Sequence, residues 1–236
     1  MKLIFDHKGF TLAELLVVIA LVGILTTFVM VNFQRGERSN ELKRAGTEVQ
    51  QNIRLSQTYS IAGNSVHYCS TASDQEVRYR PCNPSAETCT NGSCITAVPL
   101  GGYGVHFDTT TQYVVFGDTY GDPMANHYYD GVGNDYTVIE KHLSNKGISV
   151  ARIKFGDDPS FIPAGSNYVD ITFEPPTGIV HFYRNGIEAR DVDSSQPYIT
   201  VWILVRSDFI ANICRIITVN RVSGQVSETS GPCTLD

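Results

Sequence analysis

The run of residues 10–31 holds a single ionisable side chain, Glu14. A carboxylate near the start of such a run costs about 2.5–3.5 kcal/mol if it is carried to the centre of a bilayer. The position therefore calls for a compensating partner. At about 22 residues the run has the length of a membrane-spanning helix and exceeds the apolar part of a cleaved secretory signal. The nine residues before it (MKLIFDHKG) are short, polar and weakly basic, and no small-x-small cleavage site follows the run.

The helical pattern continues past the span. No proline occurs between Phe33 and Ala62, and Leu42, Ala45, Val49 and Ile53 recur at spacings of 3, 4 and 4. That places one apolar stripe on an otherwise polar helix, suited to lying on a sheet. Gly63-Asn64 supplies a stop. The spacing predicts one helix over 10–62, about 53 residues or roughly 80 Å at 1.5 Å per residue. Its membrane half covers 10–31 and its amphipathic half 32–62.

From residue 65 the period changes to that of strands. Segments 65–69, 77–79, 95–98, 104–107, 113–116, 148–155, 168–173, 178–183, 199–205, 213–219 and 225–227 are rich in Val, Ile, Tyr and Phe, with Gly, Pro, Asn and Asp clusters between them. Pro175-Pro176-Thr177-Gly178 and Asn185-Gly186 read as hairpin turns. Segment 117–136 reads as a long loop, and Trp202 within Val201-Trp202-Ile203-Leu204-Val205 reads as core. There is no internal repeat and no linker dividing 63–236. The expected fold is α+β: a long N-terminal helix packed on an antiparallel β-rich head.

Six cysteines are present, and none forms a C-x-x-C pair, so the usual zinc and thioredoxin-like spacings are absent. Behind a membrane-targeting segment, an even number of cysteines points to disulfides in an oxidising compartment. Cys214 and Cys233 are expected to pair. Cys69, Cys82, Cys89 and Cys94 then staple an insertion over 69–94, with all three connectivities open. Topology carries a conflict. Arg35, Arg38, Lys43 and Arg44 follow the span while Lys2 and Lys8 precede it, which on the positive-inside rule alone places the C-terminal part in the cytoplasm. The cysteines place it outside.

Gly9-Phe10-Thr11-Leu12, with Glu14 and then Leu15-Leu16-Val17-Val18-Ile19, resembles the N-terminal signature of type IV prepilins. The rest is similar to the GspH/FimT group of minor pilins and pseudopilins. The similar pieces are Tyr103-Gly104-Val105-His106-Phe107, the Ile171-Thr172-Phe173-Glu174-Pro175-Pro176-Thr177-Gly178 turn, and Arg215-Ile216-Ile217-Thr218-Val219 ahead of Gly224-Gln225-Val226. The resemblance implies that 1–9 is a leader, that a prepilin peptidase cuts between Gly9 and Phe10, and that the new Phe10 amine is methylated. It further implies that Glu14 meets a neighbouring subunit's Phe10 amine during assembly. A buried carboxylate wants a cation, and a new N-terminus at matching depth supplies one. Removing Lys2, Lys8 and Asp6 takes the net charge from −6 to −7 before termini are counted. Many members of the family carry a proline where this chain has Val31, so a helix continuous through Val31 is expected here.

The implied role is that of a structural minor subunit of a type IV pilus or type II secretion pseudopilus. Its implied partners are other pilin or pseudopilin subunits, a prepilin peptidase and an inner-membrane assembly platform. Two alternatives stand beside it: a DNA-binding minor pilin for DNA uptake, and a signal-anchored ectodomain outside any filament. For the former, Arg206, Arg215 and Arg221 form a candidate phosphate-binding strip. The acidic net charge of −6 weighs against a nucleic-acid partner. No cofactor is called for. The chain reads as a non-enzyme, since His67, His106, His127, His142 and His181 are scattered and no H-E-x-x-H, G-x-S-x-G or phosphate loop is present. Asp118, Asp122 and Asp130, with Asn134 and Asp135, are weak calcium candidates, because hard cations want several oxygen ligands. Their spacing is not that of an EF-hand, and such residues also make turns.

Overall fold

A computed structural model describes residues 11–70, 80–82, 89, 93–108, 110–119, 126–131, 135–143, 147–156, 162–163, 168–190, 197–210 and 212–233. The expected leader, Phe10, and the expected strand at 77–79 lie outside these residues. The chain forms two compact units, 1–40 and 41–236, and one helix, α1 (Leu12–Ala62), supplies residues to both. It runs through Val31 without a break.

In the first unit residues 11–30 of the chain are all exposed. Leu15, Leu16, Val17, Val18, Ile19, Leu21 and Val22 are each at least half exposed.

In the second unit α1 meets two antiparallel sheets. The strands in chain order are β1 (Val66–Ser70), β2 (Arg80–Pro81), β3 (Ser93–Ala97), β4 (Gly102–Phe107), β5 (Gln112–Asp118), β6 (Tyr136–His142), β7 (Ile148–Phe155), β8 (Ile162–Pro163), β9 (Val169–Glu174), β10 (Ile179–Arg184), β11 (Ile187–Glu188), β12 (Thr200–Ser207), β13 (Cys214–Asn220) and β14 (Val226–Gly231). A six-stranded sheet has the order β11-β10-β9-β4-β5-β6, a five-stranded sheet the order β14-β13-β12-β7-β8, and a small sheet the order β2-β1-β3. Leu42, Ala45, Val49 and Ile53 all enter the common core, together with Val105, Ile171 and Phe173 from the larger sheet and Ile153, Ile203 and Ile217 from the other. The stripe read from the sequence is thus the face that packs. Apolar burial of this kind stabilises by about 25 cal/mol per Å².

A second face of α1 was not apparent from the pattern. Asn52, Ser56 and Ser60, four residues apart, are all buried. Asn52 donates to the Tyr113 hydroxyl at 2.7 Å. Ser56 donates to Gly104 O at 3.3 Å, while Ser60 donates to Phe173 O at 2.5 Å and accepts from the Tyr103 amide at 2.8 Å. Small hydroxyls let the helix backbone approach the sheet and still satisfy buried polar groups. Gly46 allows a similar approach to the five-stranded sheet. A Cβ there would stand 2.8 Å from both Arg215 Cβ and Glu228 Oε1.

The turn at Asn185-Gly186 has φ values of 53° and 75°, as a two-residue hairpin requires. Two expectations are corrected. Residues 117 and 118 close β5, and 136 opens β6, a strand the sequence reading missed. Its apolar pair Val138-Ile139 is followed by Glu140-Lys141-His142, charges that suit the edge position it occupies. Trp202 is half-buried, with Lys154 Nζ 5.6 Å from its ring centroid. It lies on the face of β12 opposite Val201 and Ile203, which fill the core.

Candidate functional site

The N-terminal turn of α1 is built by Thr11 and Glu14. The Thr11 amide and hydroxyl each donate to Glu14 Oε2 at 2.9 Å, and the Glu14 amide donates to Thr11 Oγ1 at 3.3 Å. This reciprocal capping box satisfies amides that a helix start otherwise leaves open. An acidic group in the first turn also complements the helix dipole. Further along, the Thr26 and Thr27 hydroxyls donate to Val22 O and Ile24 O, each at 2.7 Å, so these two polar groups are satisfied within the helix itself. The 51-residue helix is long and apolar enough to cross a membrane, with a mean hydropathy of 2.6 over its most apolar window. Gly9 and Phe10, the expected processing residues, precede the described residues.

Cys214 pairs with Cys233, Cys69 with Cys89, and Cys82 with Cys94, and no described cysteine is free. This selects one of the three connectivities open for the insertion. The sulfurs of Cys69, Cys82 and Cys89 lie within 4.8 Å of one another. They are the one close cluster of potential metal-ligand atoms among the described residues, and as disulfide sulfurs they are not thiolate ligands.

The acidic residues near β5 and β6 hold backbone. Asp118 Oδ2 accepts the His127 amide at 2.6 Å. Asp135 accepts the Thr119 amide at 3.1 Å and the Asp130 amide at 2.6 Å, and Asp130 accepts from the Asn126 side-chain amide at 2.6 Å. Among the described residues these carboxylates do not converge on one point, and Asp118 and Asp130 are engaged in anchoring the loop. Asp122 and Asn134 lie outside the described residues. Burial pushes the Asp135 carboxyl up to about 7 and raises Asp130 as well.

These anchors fix residues 126–131 over the outer face of the larger sheet. The Tyr129 amide donates to Asp170 Oδ1, which also meets His106 Nδ1 at 2.6 Å. Burial raises Asp170, opposed by the hydrogen bond and the charge of His106. His127 stacks on His181, with centroids 4.7 Å apart and planes 9° apart. Burial lowers His181, and its hydrogen bond to Glu174 opposes that shift. The surroundings show a packed polar layer.

The three arginines do not form a strip. Arg215 stands opposite Val205, and Arg206 opposite Cys214, so the two project from opposite faces of the five-stranded sheet. Arg215 lies 3.3 Å from Glu228. Arg221 donates to Val180 O and to Glu188, both at 3.0 Å. Arg206 is exposed, with Asp208 at 3.9 Å. Two of the three are therefore engaged in holding the head together, which spacing along the chain does not reveal.

Residues 5–30 match the family model described as the prokaryotic N-terminal methylation motif. No curated protein and no solved structure matches the chain. The motif and the apolar helix that carries it support a type IV pilin-like subunit, one that a prepilin peptidase processes and that assembles with other pilins.

Proposed function

We propose that the chain is a minor pilin or pseudopilin of the GspH/FimT kind, inserted by its N-terminal helix into a type IV pilus or a type II secretion pseudopilus. Its role is structural rather than catalytic. The observation that carries this reading is Glu14: one carboxylate in the first turn of a helix whose apolar residues 12–30 are exposed on every side, inside the methylation motif. Such a surface is covered by lipid before assembly and by neighbouring helices after it. Because lipid and helix are equally apolar, packing and the one charged group supply the specificity.

Capping adds a physical reason why the acid is tolerated beforehand. Its Oε2 already accepts two hydrogen bonds from Thr11, which lowers the cost of holding it near lipid. On assembly, a neighbouring Phe10 amine supplies a full positive charge. The head lies outside the cytoplasm on this reading, where three disulfides are kept oxidised, and an inner-membrane platform drives the insertion. Scoring filament incorporation of Glu14→Ala and Glu14→Gln chains tests the proposal, with membrane insertion measured separately. Loss of incorporation with insertion intact supports it, and wild-type incorporation of both contradicts it.

A further inference from the structure

Cys69 on β1 and Cys94 on β3 are register partners, directly opposite each other. Neither is bonded to the other: Cys69 reaches to Cys89, and Cys94 to Cys82. The two bonds lie side by side, since the sulfurs of Cys69 and Cys89 from one and of Cys82 from the other fall within 4.8 Å of one another. A sulfur released from one bond is therefore close to contact distance from the other. Access is graded. Cys69 is buried at 8 % exposure, whereas Cys82 and Cys89 are half-buried.

We propose that this cysteine cluster is a thiol-exchange site, accepting a thiolate of the glutathione or dithiol-oxidoreductase class and holding the insertion in two interconvertible pairings. The external thiolate attacks Cys89 Sγ. The Cys69–Cys89 bond breaks, its electron pair leaves on Cys69, and Cys89 carries the mixed disulfide. The Cys69 thiolate then attacks Cys82 Sγ, forming Cys69–Cys82 and releasing Cys94 as a thiolate. Cys94 attacks Cys89 Sγ in the mixed disulfide, forms Cys89–Cys94 and expels the external thiolate. Each step forms one sulfur–sulfur bond and breaks one, so the external thiol is recovered and no net oxidant or reductant is consumed. The rearrangement changes how the chain between β1 and β3 is tied down. It is independent of the filament reading, because it rests on the geometry of the head alone.

The test is a disulfide map of the detergent-solubilised full chain, after incubation with mixed reduced and oxidised glutathione at about pH 8, where a thiol is partly ionised. Acid quenching and cleavage after Arg78 and Glu87 separate Cys69, Cys82 and the Cys89/Cys94 pair for mass analysis. The expected result is a Cys69–Cys82 linkage together with Cys89–Cys94, growing over minutes to hours, while Cys214–Cys233 is unchanged. A second arm uses Cys89→Ser without added thiol. The Cys69 thiolate is expected to capture Cys82 and leave Cys94 free. A single unchanged map in glutathione, with Cys82–Cys94 retained in Cys89→Ser, overturns the proposal. Scrambling that includes Cys214 and Cys233 also overturns it, since that outcome reports unfolding and not a local site.

Discussion

The Glu14 carboxylate accepts both the amide and the hydroxyl of Thr11, at 2.9 Å each. The same acid thus closes its own helix and is the group on which assembly is proposed to turn. Substitution can separate these roles. Glutamine at the third helical position still completes a capping box, because its carbonyl accepts the same hydrogen bonds, but it carries no charge. Glu14→Gln is expected to keep the helical content of the micelle-bound chain, measured by circular dichroism, and to lose incorporation nearly as fully as Glu14→Ala. If Glu14→Gln assembles like wild type, capping alone explains the acid and the charge is not needed.

The buried hydroxyls of α1 should matter to the head in proportion to what they leave unpaired. Ser60 is fully buried and serves both the Tyr103 amide and Phe173 O. Ser60→Ala is expected to cost roughly 1–3 kcal/mol, the range for stranding a buried polar group, read as a lower denaturant midpoint with unchanged slope. Thr58→Ala provides the control, since Thr58 is exposed and bonds only within the helix, to Arg54 O.

Close approach of helix and sheet at Gly46 gives a steric counterpart. Gly46→Val places atoms where Arg215 Cβ and Glu228 Oε1 already stand, and overpacking of this kind costs about 1–3 kcal/mol. The expected readout is a lower melting temperature of the head. No change would mean that the helix and β13 are farther apart than described.

These two sites show where the sequence was readable. Leu42, Ala45, Val49 and Ile53 were legible as a packing stripe because apolar residues at helical spacing have one ready explanation. Asn52, Ser56 and Ser60 have the same periodicity, yet polar side chains on a helix read as a solvated face until their partners on β4, β5 and β9 are known. The eight-residue pattern of β7 was visible from its branched side chains, whereas β6 hid behind its edge charges. At the acidic loop, composition showed oxygen ligands but could not show that Asp118 and Asp135 spend them on the amides of His127, Thr119 and Asp130. Arg215 and Arg221 looked like a surface strip for the same reason, their acidic partners being remote in the chain.

Asp135 makes stability depend on pH. Its folded value of about 7 lies above the ordinary 3.8, so the folded chain binds this proton more tightly than the unfolded one. The stabilising contribution is complete below 3.8 and is lost as pH rises through about 7. His181 acts in the opposite direction: its folded value lies below 6.5, so stability is lost as the pH falls below that point. Thermal melts between about pH 4 and 8 should show the alkaline loss flattened in Asp135→Asn and the acid loss flattened in His181→Gln. Parallel curves for wild type and Asp135→Asn would remove the role assigned to Asp135.

The most direct measurement is the mass of the N-terminal peptide of the chain extracted from membranes of a cell that makes prepilin peptidase. The expected peptide begins at Phe10 and carries one added methyl group on its amine, with residues 1–9 absent. A chain that retains Met1 in such a cell would contradict the reading of this protein as a processed, filament-forming subunit.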